Sequence, residues 1–183
     1  MGTGGIRVHG IIENNISKEN QMSVKDKIVI FDLDGTLANT DERMKLATAN
    51  KTREADYNKI NWNVLHDPKN IKLDVPNVPV VTMCKLLYDS GASIYIFSGR
   101  SDRTKLATKI WLEEHDIKYH KLVMRPSNKK ESFTPDEVLK YRMLEDHCPD
   151  RSKVLGVFDD RQKVVDMWRM EGLTCFQVDY GDF

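Results

Sequence analysis

Asp32 and Asp34 stand one residue apart at the end of the apolar run Ile28-Val29-Ile30-Phe31, and Gly35, Thr36 and Leu37 follow them. Two carboxylates this close repel each other, and a divalent cation relieves that cost. Magnesium suits such a site, because it takes hard oxygen ligands and keeps several waters. One carboxylate can then attack an electrophile while the other handles the proton. Gly35 permits a sharp turn, and Thr36 can offer its hydroxyl and N–H to an anion. The bland alternative is a solvated acidic pair at a strand-to-turn junction.

Three further clusters fall at or after apolar segments. Ser98-Gly99-Arg100 follows Ile94-Tyr95-Ile96-Phe97. A hydroxyl, a glycine and the start of a helix make an anion nest, and Arg100 adds a planar fork for phosphate. Alone, the same residues read rather as a helix cap with a solvated arginine. Asp136 and Lys140 lie one helical turn apart. The lysine can neutralise charge shared by a phosphate and a nucleophile, with Asp136 orienting it; a plain surface pair is the alternative. Asp159-Asp160 follows Val154-Leu155-Gly156-Val157-Phe158. A second acidic pair at a strand end is what a magnesium site opposite Asp32 and Asp34 needs, although an Asp also caps helices well.

Elements must bring these clusters together. The run before Asp32 has the continuous apolar character of a strand buried on both faces. Further strands are expected at 93–97, 121–124, 154–158 and 174–178. Helices are expected at 79–89, 102–115, 134–146 and 162–171, the third starting with Thr134 as cap and Pro135 at the first helical position. This alternation predicts an α/β fold: a doubly wound, mostly parallel sheet with helices on both faces and ligands at the carboxyl ends of the strands. Residues 41–77 are long for a connection. They are expected to form a small helical insert, a cap or lid over the site mouth, carrying Trp62, His66 and Pro68. Residues 1–23 read as a polar tail with Met22 as a possible start. Residues 24–183 read as one domain.

Composition sets outer limits. The chain has 183 residues, of which 40% are apolar and 31% charged, with 28 basic and 28 acidic side chains. A net charge of zero gives no global field toward nucleic acid or anionic membrane, so any such contact must be local. There is no run of membrane-spanning length and no signal-peptide core. Gly2-Thr3-Gly4-Gly5 lacks the Gly-Lys-Ser/Thr ending of a P-loop. Cys84, Cys148 and Cys175 are odd in number and widely spaced. They fit small core residues in a reducing, cytoplasmic setting better than disulfides or zinc ligands. Trp111 and Trp168 sit among apolar neighbours as core residues. His66, His115, His120 and His147 show no metal-ligand spacing. Trp62 and Tyr57 could stack on a base or pack in a core or lid. Arg125, Lys129 and Lys130 form either a local basic patch or a solvated charge run.

Asp32-Leu33-Asp34-Gly35-Thr36-Leu37 resembles the first motif of the haloacid dehalogenase superfamily of phosphotransferases. Ser98, Lys140 and Asp159-Asp160 then resemble its second, third and fourth motifs, in order. Within the superfamily, residues 27–183 resemble the 3′-phosphatase domain of phage polynucleotide kinase-phosphatases. The stretch Asp160 to Arg169, the ending Cys175-Phe176-Gln177-Val178 to Gly181-Asp182-Phe183, the pair Asp136 and Lys140, and Arg100 carry that likeness. Arg43 falls where the family places another substrate-side arginine.

The resemblance implies a magnesium-dependent phosphomonoesterase. Asp32 would be the nucleophile, Asp34 the general acid and base, and Lys140 the catalytic cation. Thr36, Arg43, Ser98, Gly99, Arg100 and Asp136 would be on the substrate side. The ion would be held by Asp32, Asp34 (through its main-chain carbonyl), Asp159 and Asp160. The expected substrate is a 3′-phosphorylated polynucleotide end. A mononucleotide phosphatase and a non-catalytic nucleotide-binding module are the alternatives.

Overall fold

The computed structural model describes residues 24–49, 60–128, 131 and 133–181. The tail at 1–23 with Met22, and also Tyr57, Lys129, Lys130, Asp182 and Phe183, lie outside the described residues.

Five parallel strands form one sheet in the order β5-β4-β1-β6-β7. They are β1 (Ile28–Phe31), β4 (Ser93–Ser101), β5 (Lys121–Arg125), β6 (Val154–Asp159) and β7 (Cys175–Gln177). The apolar run before Asp32 is the central strand, flanked by β4 and β6. Its side chains alternate between two cores, as a strand's period of two requires. Val29 and Phe31 join α3 (Val78–Asp89) and α4 (Lys105–Glu114) through Val81, Cys84, Trp111 and Leu112. Ile30 joins α5 (Asp136–His147) and α6 (Gln162–Met170) through Leu139, Leu144, Val165 and Trp168. Helices thus cover both faces. Cys84, Cys148 and Cys175 are buried and unpaired. No helix among the described residues is long and apolar enough to cross a membrane.

The chain between β1 and α3 leaves the sheet on a stem. Two short antiparallel strands, β2 (Ala38–Asn39) and β3 (Val75–Pro76), pair at its base. Between them lie α1 (Asp41–Thr48), α2 (Trp62–Leu65) and a 3₁₀ segment over Pro68–Leu73. Asn61 caps α2, its side chain accepting from the N–H groups of Asn63 and Val64.

Three local expectations need correction. Ser98-Gly99-Arg100 does not open a helix: β4 runs on to Ser101, its pairing with β5 slipping between Ser98 and Ser101. A 3₁₀ turn over Asp102–Thr104 precedes α4, so the expected helix at 102–115 starts later. Thr134 does not cap α5. Pro135 takes the cap position in an extended conformation with no side-chain cap bond, and the Thr134 hydroxyl donates to Glu131 Oε2 at 3.0 Å.

Candidate active site

Strand register brings the acids together. Phe31 pairs with Phe158, so Asp32 and Asp159 follow side by side at the carboxyl ends of β1 and β6. The Asp32 N–H donates to the Phe158 carbonyl at 2.9 Å. Beneath them the rings of Phe31 and Phe158 stack at 4.6 Å, and those of Phe158 and Phe176 at 4.9 Å. This aromatic ladder packs one face and fixes the register. Alternation then sends Asp32 and Asp159 to the other face, toward α5 and α6.

There Lys140, buried on α5, reaches Asp32 Oδ1 at 2.6 Å and Asp159 Oδ2 at 2.8 Å. Trp168 on α6 donates its indole N–H to Asp159 Oδ2 at 3.1 Å. Asp160 completes the cluster: oxygens of Asp32, Asp159 and Asp160 lie within 4.8 Å of one another, all three residues buried. Gly35, at φ +88°, turns the chain against the Asp160 carboxylate, where a side-chain carbon would collide. Burial, with repulsion from Asp159 and Asp160, pushes the Asp32 carboxyl well up despite Lys140. Burial and Asp159 push Asp160 up to about 6. Burial works against charge on Lys140, but Asp159 and Asp32 overcome it and hold the ammonium. The Lys140 ammonium thus bridges Asp32 and Asp159 with Asp160 beside them, and the hard oxygens of the three acids fit a divalent cation such as magnesium.

Asp34 has a different environment. Its Oδ1 accepts from Arg43 Nη2 at 2.7 Å, from Arg100 Nε at 2.7 Å and from Arg100 Nη2. Both guanidinium groups also bind Asp74, Arg43 through Nε at 2.8 Å. Burial alone would raise the Asp34 carboxyl, but Arg100 and then Arg43 hold it below the usual carboxylate range.

The remaining expected residues take the following contacts. Arg43 is fully buried and does not reach the cavity wall; it braces Asp34, Asp74 and the Leu65 carbonyl, the last at 2.9 Å. Arg100 lines the cavity, yet its guanidinium is engaged by Asp34 and Asp74. The Thr36 hydroxyl donates to Asp160 Oδ1 at 2.9 Å, and its N–H to the Leu33 carbonyl. Asp136 does not hydrogen-bond Lys140; Arg125 and Arg161 take its two oxygens. Ser98 Oγ accepts from the Arg100 N–H at 3.1 Å, and Gly99 lies on the cavity wall.

Asp74 is the residue that sequence reading missed. It sits in a stretch with no recognisable motif, and only the stem that returns it beside Asp34 reveals its part. Arg161 was also missed. Arg125, read as part of a surface patch, turns inward to Asp136, the Gly99 carbonyl and the Thr134 carbonyl.

A cavity of about 1140 Å³ opens over the acids. Asp32, Asp34, Lys140 and Asp160 form its floor, and Trp62, His66 and Phe133 stand among its walls.

Comparison with known proteins agrees with this geometry. A protein of Autographa californica nuclear polyhedrosis virus, named as a bifunctional polynucleotide kinase/RNA ligase, is 32% identical over 173 residues; these cover 90% of this chain and 22% of that protein. A chain in the structure of the Pnkp1/Rnl/Hen1 RNA repair complex is similar with TM-score 0.66 and 30% identity, over 93% of this chain and 48% of that one. This chain therefore spans about half or less of those relatives. A predicted phosphatase from Clostridium acetobutylicum matches with TM-score 0.63 at 16% identity, over 85% of each chain, and shows the shared fold. The family model of the polynucleotide kinase PNKP phosphatase domain matches residues 26–183. With its acids in register at the sheet's edge and its sequence matched almost throughout, the chain belongs to the PNKP phosphatase domain family and is a phosphatase of the haloacid dehalogenase type.

Proposed function

We propose that the chain removes the 3′-phosphate from polynucleotide ends through an aspartyl-phosphate intermediate, with magnesium as its ion. The buried trio Asp32, Asp159 and Asp160 around Lys140 carries this reading. These carboxylates, with the Asp34 main-chain carbonyl, would hold the ion, which when bound supplies positive charge against phosphate and nucleophile.

Asp32 attacks phosphorus, and the bond from phosphorus to the leaving oxygen breaks. A proton from Asp34 goes to that oxygen, help worth roughly 10²–10⁴ in rate. Water then attacks the phosphorus, its proton passes to Asp34, and the aspartyl bond breaks to free phosphate and the Asp32 carboxylate. The arginine pair holds Asp34 as the carboxylate suited to the second step. For the first step Asp34 must be protonated, and a phosphate drawing Arg100 toward itself would loosen that hold. Lys140 faces the shared charge, and the Ser98 hydroxyl at the end of β4 would take a phosphoryl oxygen. Residues 41–77 act as a lid whose α2 borders the leaving group.

The test is a substrate panel with magnesium: a 3′-phosphorylated oligonucleotide, its 5′-phosphorylated counterpart, and 3′- and 5′-mononucleotides. The 3′-phosphorylated oligonucleotide should turn over fastest. Asp32→Asn should abolish turnover, and a chelator should do so reversibly. An active Asp32→Asn enzyme, free of contaminating phosphatase, rules out the nucleophile. A preference for mononucleotides rules out the polynucleotide reading.

A further inference from the structure

The aromatic wall of the cavity has no part in the chemistry just described. Trp62 is a large apolar side chain, 55% exposed, on the first position of a helix that borders the acids. The His66 ring lies nearly parallel to it, 5.7 Å away and inclined by 15°. His66 Nδ1 is buried and has no hydrogen-bond partner among the described residues. Buried polar atoms are normally satisfied, and the contact made by the face of this ring is its stacking on Trp62. Burial, with Arg43, Arg100 and Arg125 near, lowers the imidazole pKa against the opposing pull of Asp34 and favours the neutral ring. Phe133, 90% exposed on the loop between β5 and α5, lines the same cavity.

The shelf is also tied to the reaction centre. The Leu65 carbonyl at the end of α2 accepts from Arg43, and the same guanidinium grips Asp34. Asn70 Nδ2 donates to the Val64 carbonyl at 2.8 Å. Trp62 therefore stands on a helix that Arg43 ties to the proton-transferring carboxylate, in the same cavity.

We infer that Trp62, backed by His66, is the platform on which the base of the phosphorylated terminal nucleotide stacks. This deepens the nucleotide-end reading and rests on it. Every base has a π-face, so a stacking platform accepts any sequence and still requires a base. The cationic rim supports the same occupant, since the exposed Arg103 lines this cavity beside the aromatics.

The experiment compares 3′-phosphorylated oligonucleotides ending in a normal or an abasic nucleotide, using wild type, Trp62→Ala and Trp62→Phe. Wild type should prefer the base-bearing end by roughly 5- to 150-fold in kcat/KM, mostly through KM, the span expected for one stacked base. Trp62→Ala should bring that ratio toward one, and Trp62→Phe should restore much of it. A full preference in Trp62→Ala, or none in wild type, overturns the proposal. If wild type ignores oligonucleotides but cleaves mononucleotides, only the polynucleotide reading falls; a 3′-mononucleotide against its base-free ribose phosphate then decides the platform by the same ratio. Binding gives a second readout. Trp111 and Trp168 are buried, so in Asp32→Asn protein nucleotide should quench the fluorescence of Trp62. Most of that quenching should be lost in Asp32→Asn/Trp62→Phe protein; equal quenching of the two proteins by bound nucleotide overturns the proposal.

Discussion

Asp159 is held from three directions: by the Lys140 ammonium, by the Trp168 indole N–H and by the Arg161 backbone N–H at 3.2 Å. Trp168 fills the core between α6 and the sheet, as its apolar neighbours lead one to expect. It also points its one polar atom at the acid. On the proposed reading Asp159 holds the ion, and a group that orients such a carboxylate typically changes ion affinity by about 10–100-fold when removed. Trp168→Phe keeps most of the ring's volume and loses the N–H. It should raise the magnesium concentration for half-maximal activity by a factor in that range; an unchanged value would leave the indole with packing alone.

At the scale of elements, the excursion between β2 and β3 is bound to the rest of the fold by charge as well as by Ile71, which is buried in the same core as Trp111. Arg43 on α1 joins Asp34 after β1, Asp74 at the stem and the end of α2. Removing one partner of a buried ion pair typically costs about 3–5 kcal/mol, because the other charges stay behind unpaired. Arg43→Ala should lose that much in urea denaturation and should also lower kcat. Arg43→Lys should recover only part, since an ammonium cannot span three acceptors as a planar guanidinium does. Much of the sheet was legible in the sequence, because each strand announces itself by apolar residues and each acid by its place at a strand's end. Asp32, Asp159, Asp160 and Lys140 converge for that reason. The arginines were expected on the substrate side, and their hold on Asp34 and Asp74 was not legible. Nothing near Asp74 marks it as their counter-ion, and the partner of a long charged side chain depends on how the excursion folds back. Thr134 failed as a cap for a similar reason: Arg125 and Arg161 gather Asp136 at the start of α5, and the turn before it follows their geometry.

For the whole molecule, clustered acids make stability depend on pH. The folded Asp160 carboxyl titrates near 6 against an ordinary 3.8. A raised acid favours folding below its unfolded value, and that contribution is lost as pH rises through the folded one. In chelator-treated protein, Asp160→Asn should therefore gain on wild type in denaturation midpoint between about pH 4 and pH 6 and keep its lead above. Magnesium added to wild type above pH 6 should narrow the gap, because the ion binds the folded state. A constant difference across that range would mean that Asp160 does not titrate as its surroundings dictate.

The central position of β1 also makes the site depend on distant parts of the chain. Its two neighbours come from distant parts of the chain, β4 after the excursion and β6 late, and parallel partners of such separation pair slowly. Helical turns can form from nearby residues long before those ladders close. Asp32 therefore meets Asp159 only where the β1–β6 ladder has closed, and the capacity to turn over a phosphate ester requires that distant pairing and not the helices alone.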